Sequence, residues 1–427
     1  MAKLKWGVGT AVTCVVVIVG GNLYADKSLQ TYYQQDASKQ KNLNLTYQKF
    51  EMGTLKGSAD WTAEWTMDPC QPTNIIKLSG QDQIRRSWNG YSIQSEIKIV
   101  QAPKILQSIL KEPLKAKSKV NWLGNMHISM VTPMIVRNDA NIQSKLEPMT
   151  FQIRAKPQGA ELKIIDLKFE IPNLTVTEKN SYLHMAGFKL DTNQGLNGEY
   201  LEAGKSQIQI DSLKMSNRDP KYRIDSEIKN LRMKTQSVLT DRVLNTEMQL
   251  HLDEMKMPFV PMMQKVQLNF NVMDINRQKL QALFDLLEKG EKSCVVQEKM
   301  LKDMEPALLA VINEGFRFEA KNNQVAIGTG TAKANMTGRI MPSHQSTAVG
   351  MLKMMPSLME YKADMEFDKN IVANLMNGYS AKAGTTLTDA DIEKILSTMQ
   401  QAGQLEREGD RLKMSVEYKF GEKKFLN

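Results

Sequence analysis

The chain of 427 residues predicts an α+β protein, predominantly antiparallel β, with an N-terminal transmembrane helix, an elongated curved sheet and helices packed on the C-terminal part. Three observations lead there. An apolar run without Lys, Arg, Asp or Glu opens the chain. Two-residue alternation dominates from Leu43 to about Val272, after which the period changes to a helical one.

From Trp6 to Ala25 (WGVGTAVTCVVVIVGGNLYA) the ionisable groups are Cys14 and Tyr24 alone. About 20 residues at roughly 1.5 Å rise cross a hydrocarbon layer of about 30 Å, and a helix closes its hydrogen bonds internally. Lys3, Lys5 and the terminal amine precede the run, whereas Asp26 and Lys27 after it nearly cancel. The positive-inside bias then keeps the amino terminus in the cytoplasm and exports everything else. A cleaved signal peptide, cut after Leu23-Tyr24-Ala25, is the competing reading, with Leu23 a poor fit where a small residue is wanted. Both place the body outside. Gly9, Thr13, Val17 and Gly21 share one helical face suited to a second copy, which makes a homodimer an alternative to the plain reading that Gly is common in such helices.

Asp26 to Asn42 is polar, lacks Gly and Pro, and carries Leu29, Tyr32 and Tyr33 at near-helical spacing, which predicts a stalk. A β-rich region then spans 43–272. Ser92 to Ile99 and Lys265 to Val272 alternate apolar and polar residues, the pattern of antiparallel strands with one face buried. Gln207 to Met215 (QIQIDSLKM) and Gln249 to Met257 (QLHLDEMKM) match closely, and Glu161 to Phe169 (ELKIIDLKF) is a looser copy. In the first two the alternation skips one position at the Asp, the signature of a bulge that bends a strand and returns its side chains to one face. Repeated bends predict a curved sheet whose apolar inner side is a groove, lined by Ile208, Ile210, Leu213, Leu250, Leu252 and Met255.

The region 273–427 reads as α+β. Helices are predicted at Asn276 to Lys289, Gln297 to Asn313 and Thr388 to Ala402, the last with Thr388 as N-cap, Asp389 and Asp391 in its first turn and Gly403 as its stop. Strands return from Gly315 to Ile340 and from Leu405 to Phe425. Gly53 and Gly57 interrupt a strand pattern and mark a turn or bulge where a Cβ would clash. Phe50, Trp61 and Trp65 suit either core packing or lipid headgroups near the anchor.

Three stretches together carry a resemblance: the anchor followed by Tyr47 to Ser58 (YQKFEMGTLKGS), the Asp274 to Leu287 helix leading to Pro306-Ala-Leu-Leu-Ala, and the ending from Gly403 to Gly421 (GQLEREGDRLKMSVEYKFG). The chain resembles the YdgA-like family of bacterial proteins of unknown function, anchored in the inner membrane and facing the periplasm. It departs from the family pattern by finishing with Lys423 and Lys424 before Asn427, where a more apolar end is expected. The resemblance implies a bacterial inner-membrane location with a single pass, and it transfers no catalytic residue.

With 41% hydrophobic and 24% charged residues, the exported part is an ordinary globular body. A net charge of +9 suits an anionic membrane or polymer, yet Lys and Arg are spread along the chain and read as a solvated face. No nucleic-acid partner is expected, since no recognition signature is present. Cys70 and Cys294 are the one pair outside the anchor run; they either bridge, adding a few kcal/mol by closing a long loop, or remain separate thiols. His127, His184, His251 and His344 are scattered, and no nucleophile elbow, P-loop or metal-ligand spacing occurs, so neither an enzyme nor a cofactor is expected. The 28 methionines are densest at Met351, Met354, Met355, Met359 and Met365. With His344 this run invites Cu(I), but it reads more simply as an apolar segment of adaptable side chains, and no metal site is assigned. Two expectations for function follow: a periplasmic interaction or assembly scaffold for another envelope protein, and a module that binds or transfers lipid acyl chains in the groove.

Overall fold

The computed structural model describes residues 43–66, 75–87, 90–102, 112–121, 123–138, 142–158, 161–194, 203–219, 224–258, 260–293, 297–374 and 388–426. The anchor, the stalk, Cys70 and Cys294 lie outside them. No helix among the described residues is long and apolar enough to cross a membrane. These residues form two compact units. The first holds those through Glu178 and 187–194; the second holds 179–186 and those from 203 on, save 292 and 293.

The first unit starts with strands β1 (Leu43–Met52), β2 (Lys56–Thr66), β3 (Ile75–Ser87), β4 (Gly90–Gln101), β5 (Leu114–Asn121) and β6 (Met126–Val131), each antiparallel to the next. A hairpin of β7 (Ile135–Asn138) and β8 (Ile142–Leu146) interrupts the order, and β6 pairs instead with β9 (Thr150–Gln158). Strand β10 (Glu161–Glu178) is 18 residues long, enough to pair β9 along Glu161–Glu170 and β8 along Leu174–Glu178.

Alternation decides what is buried here. On β5, Leu114, Ala116, Ser118 and Val120 face inward while Lys115, Lys117, Lys119 and Asn121 face water. Among the described residues, the inner-face side chains pack on one another. Residues from Ala59 on β2 to Phe169 on β10 form one cluster, with the Phe151 and Phe169 rings stacked at 4.5 Å. Trp61 and Trp65 belong to this core, 1% and 4% exposed, and not to a lipid-facing girdle. Gly53 closes the β1–β2 turn through its N–H to the Lys56 carbonyl at 2.8 Å, and a Cβ on Gly57 would meet the Glu51 carbonyl at 2.7 Å.

In the second unit β12 (Gly204–Asn217), β13 (Ile224–Leu239), β14 (Val243–Met257) and β15 (Val260–Asn276) pair in order. The preceding strand β11 (Ser181–Thr192) contributes residues to both units. Helices α1 (Arg277–Ser293) and α2 (Gln297–Asn313) follow. Then β16 (Phe316–Ile327), β17 (Gly330–Ile340), helix α3 (Ala348–Leu358) and β18 (Met359–Asp368) continue the antiparallel series. After helix α4 (Asp389–Gln401), β20 (Arg411–Lys419) pairs with β18 and also carries the short strands β19 (Glu406–Glu408) and β21 (Glu422–Phe425).

The predicted helices fall where periodicity puts them. Thr388 caps α4 through a reciprocal capping box with Asp391, and Gly403 ends it at φ +66°. Ile392 and Leu396 pack on Leu405 and Leu412 in a second core. Helix α3 was not legible, because a run containing Gly350 and Pro356 reads as a plain apolar segment; its Thr347 cap, accepting from Gly350 N–H, starts it. Lys423 and Lys424 do not prevent the terminal strand, since β21 is an edge strand on which lysines discourage further pairing.

Candidate functional site

The six predicted groove residues come together in three rows that cross four strands of the second unit. Ile208 lies opposite Met233, then Leu250, then Leu268. Leu213 lies opposite Ile228, then Met255, then Met263. Between them Ile210 pairs with Leu231, and Leu252 with Val266. The rows are apolar throughout.

Between the second and third row the alternation changes phase, as the sequence predicts, but not by a bulge of one strand against its neighbour. The register runs unshifted past Asp211 and Asp253 against β13. Instead Asn230 and Lys265 stand in that same row with left-handed φ of +52° and +50°. On β13 the buried positions are Ser226 before the kink and Ser237 after it, while Arg232, Lys234 and Gln236 are exposed. When neighbouring strands kink at one row, each resets its pleat together and no ladder slips. The looser copy does contain a register shift, between Ile164 and Asp166 on β10.

Asp253 fastens the kink by accepting from Asn230 Nδ2 at 2.6 Å, with His251 Nε2 at 3.1 Å, and the Asn230 bond holds its carboxyl below the usual range. Charged side chains flank the third row: Lys214 with Glu227 (3.0 Å), Lys229 with Glu254 (2.8 Å) and Lys256 with Asp225 (2.7 Å). The Lys229 bond lowers the Glu254 pKa, and the Asp225 bond raises that of Lys256.

The middle row is closed, whereas Leu268 at the end of the first row and three methionines beyond the rows along the strands are open. Leu252 and Val266 are 4% and 7% exposed, while Met215, Met248, Met257 and Leu268 range from 36% to 44%. Unbranched methionine suits such a margin, since it repacks against irregular apolar partners at little cost.

Sequence reasoning missed a second feature, in the first unit. Ser92, Lys119, His127 and Arg154 follow one another across β4, β5, β6 and β9, and they line a cleft of about 610 Å³. Arg154 is held by Asp166, which raises its pKa through that hydrogen bond. The alternating Lys115-Ala-Lys117-Ser-Lys119 was the visible signal; it reads as an ordinary wet strand face until the neighbouring strands are placed. Among the described residues no group of three His, Cys, Asp or Glu could hold a metal ion.

Comparison with known families adds one result: the model of a family described as "Bacterial protein of unknown function (DUF945)" matches residues 1–427. The chain belongs to this family. The match is consistent with the YdgA-like resemblance, and of the stretches that carried it the structure places Tyr47 to Ser58 at the β1–β2 turn with its two glycines and the ending at the strands on β20. No curated protein and no solved structure matches the chain.

Proposed function

We propose that this family member is a non-enzymatic envelope protein, tethered by Trp6–Ala25 to the bacterial inner membrane with its body in the periplasm, whose second unit binds acyl chains on the face of β12–β15. The half-exposed apolar margin at Met215, Met248, Met257 and Leu268, continuous with the buried row centre, carries this reading. Each methylene removed from water contributes about 0.8 kcal/mol, so a chain laid along the rows gains affinity without any specific polar contact. The anchor supplies the reason for that occupant, because it keeps the body beside a lipid surface.

The test is photocrosslinking in living bacteria that express the full chain and incorporate a diazirine-bearing fatty acid into their lipids. Labelled peptides containing 208–213 and 250–255, lost in Leu250→Asp, support acyl binding. Label confined to the anchor segment sinks it.

A second reading, an interaction scaffold for another envelope protein, is favoured by α3. This helix buries Met351 but turns Val349 and Leu352 outward, 63% and 70% exposed. An apolar helix face left in water is a common mark of a protein contact.

A further inference from the structure

We propose that the cleft in the first unit is a binding site for a phosphate-bearing anion, held by Lys119 and His127 of its lining, with Lys117 adding charge from the next exposed position on β5. The inference is independent of acyl binding by the second unit.

Three lysines stand at alternate positions on the wet face of β5. Spacing along a strand puts neighbouring pairs only about 7 Å apart, close enough for unscreened repulsion. Several other lysines on this unit's wet face have acidic partners: Lys77 with Glu64 (2.6 Å), Lys98 with Glu96 (3.4 Å) and Lys168 with Asp191 (3.1 Å). Around β5 that compensation fails. The row through Lys117 continues as Gln94, Ser129 and Gln152, none of them acidic. The row through Lys119 continues as Ser92, His127 and Arg154 and reaches an acid only at Asp166, which Arg154 already holds. Lys115 lies opposite Glu96, whose carboxylate bonds Lys98 instead. Positive charge is therefore left uncompensated beside a concavity.

The donors around it point to phosphate over carboxylate. A carboxylate is matched best by the planar fork of a free guanidinium, and the Arg154 fork is committed to Asp166. Lysine acts as a mobile point charge and suits a tetrahedral oxyanion with several acceptor oxygens. Asn121, at the rim, accepts from Leu123 N–H and Asn125 N–H with its amide oxygen, both at 3.0 Å, which leaves its NH2 group to donate. The cleft, at about 610 Å³, also has room for more than a phosphate ion, which fits a glycerol phosphate or a phospholipid headgroup.

The experiment uses the full-length chain in nonionic micelles. Microscale thermophoresis measures binding of glycerol 1-phosphate, and of phosphatidylglycerol doped into the micelles, with phosphatidylcholine as reference and at two salt concentrations. The expected result is saturable, salt-sensitive binding of a phosphate probe that weakens about tenfold or more in Lys117→Gln/Lys119→Gln, through loss of charge-assisted bonds. The control Lys145→Gln, on a lysine paired with Glu147, leaves it unchanged. All these positions are exposed, and thermal melts of each variant check the fold. Preference for phosphatidylglycerol identifies a lipid headgroup as the source, and equal binding of glycerol 1-phosphate identifies a soluble one. Absence of saturable binding to both probes, or a double variant that binds as tightly as the parent, overturns the proposal.

Discussion

Trp61 sits in a tightly packed part of the first unit's core. Its indole N–H donates to Asp82 Oδ1 at 3.0 Å, and its ring lies over Gly80, where a Cβ would come within 1.9 Å of Cζ2. The glycine is required by that close approach, since any side chain there displaces a ring that is 1% exposed. Gly80→Ala is expected to destabilise the protein by about 2 kcal/mol or more, the cost of overpacking a full core, read as a lower urea midpoint. Ser118 is the opposite case. Its hydroxyl is fully buried and has no hydrogen-bond partner. Removing an unsatisfied hydroxyl relieves a desolvation penalty, so Ser118→Ala should leave stability unchanged or raise it by about 1 kcal/mol in the same denaturation assay.

At the level of elements, the kink row and the α4 clamp each tie several strands or loops to one arrangement. Because Asp211, Asn230, Asp253 and Lys265 stand in one row, the pleat of β12–β15 is reset in common. Deleting Asp253 alone removes the reset from one strand and turns Met255 and Met257 to the charged side. We expect a loss of at least about 2 kcal/mol, from displaced apolar burial, together with faster proteolysis of β14. The clamp is electrostatic. Glu393 on α4 receives two bonds from Arg407, at 2.6 and 3.0 Å, and another from Lys369. These bonds, Arg407 first, pull its pKa from 4.5 down to about 2. A depressed carboxylate stabilises the fold above its unfolded pKa, and that contribution fades as pH falls from about 4.5 toward about 2. The melting temperature should therefore drop more steeply over this window in the parent than in Glu393→Gln, which lacks the ionisable group.

For the whole molecule, the two units solve the same problem differently. Strands of the first have one wet face and one inner face, and the described residues of that inner face form a core continuous from β2 to β10. The second has helices and a smaller core under α4, and leaves part of an apolar sheet face in contact with water. A face of that kind predicts ligand-dependent stability. If acyl chains bind there, adding long-chain fatty acid to the purified full chain should raise its melting temperature, whereas Leu250→Asp should abolish the rise. A melting temperature indifferent to the fatty acid would instead favour the scaffold reading.

The sequence by itself determined the element types apart from α3, the strand faces and the family. Alternation at 92–99 and on β5, the helical spacing at 297–313, and the Thr388–Asp391 cap are local signals, set by residues a few positions apart. The six groove residues were legible for the same reason, because a strand's period assigns each side chain to a face before its partners are known. Only the tertiary structure decided which strands meet. It showed that β6 leaves β7 to pair with β9, that the phase skips of separate strands fall in one row, and that Lys119 and His127 share a cleft with an arginine already engaged. These are products of pairing and register between segments far apart in the chain. A single strand's sequence cannot encode them, because each depends on the strand beside it.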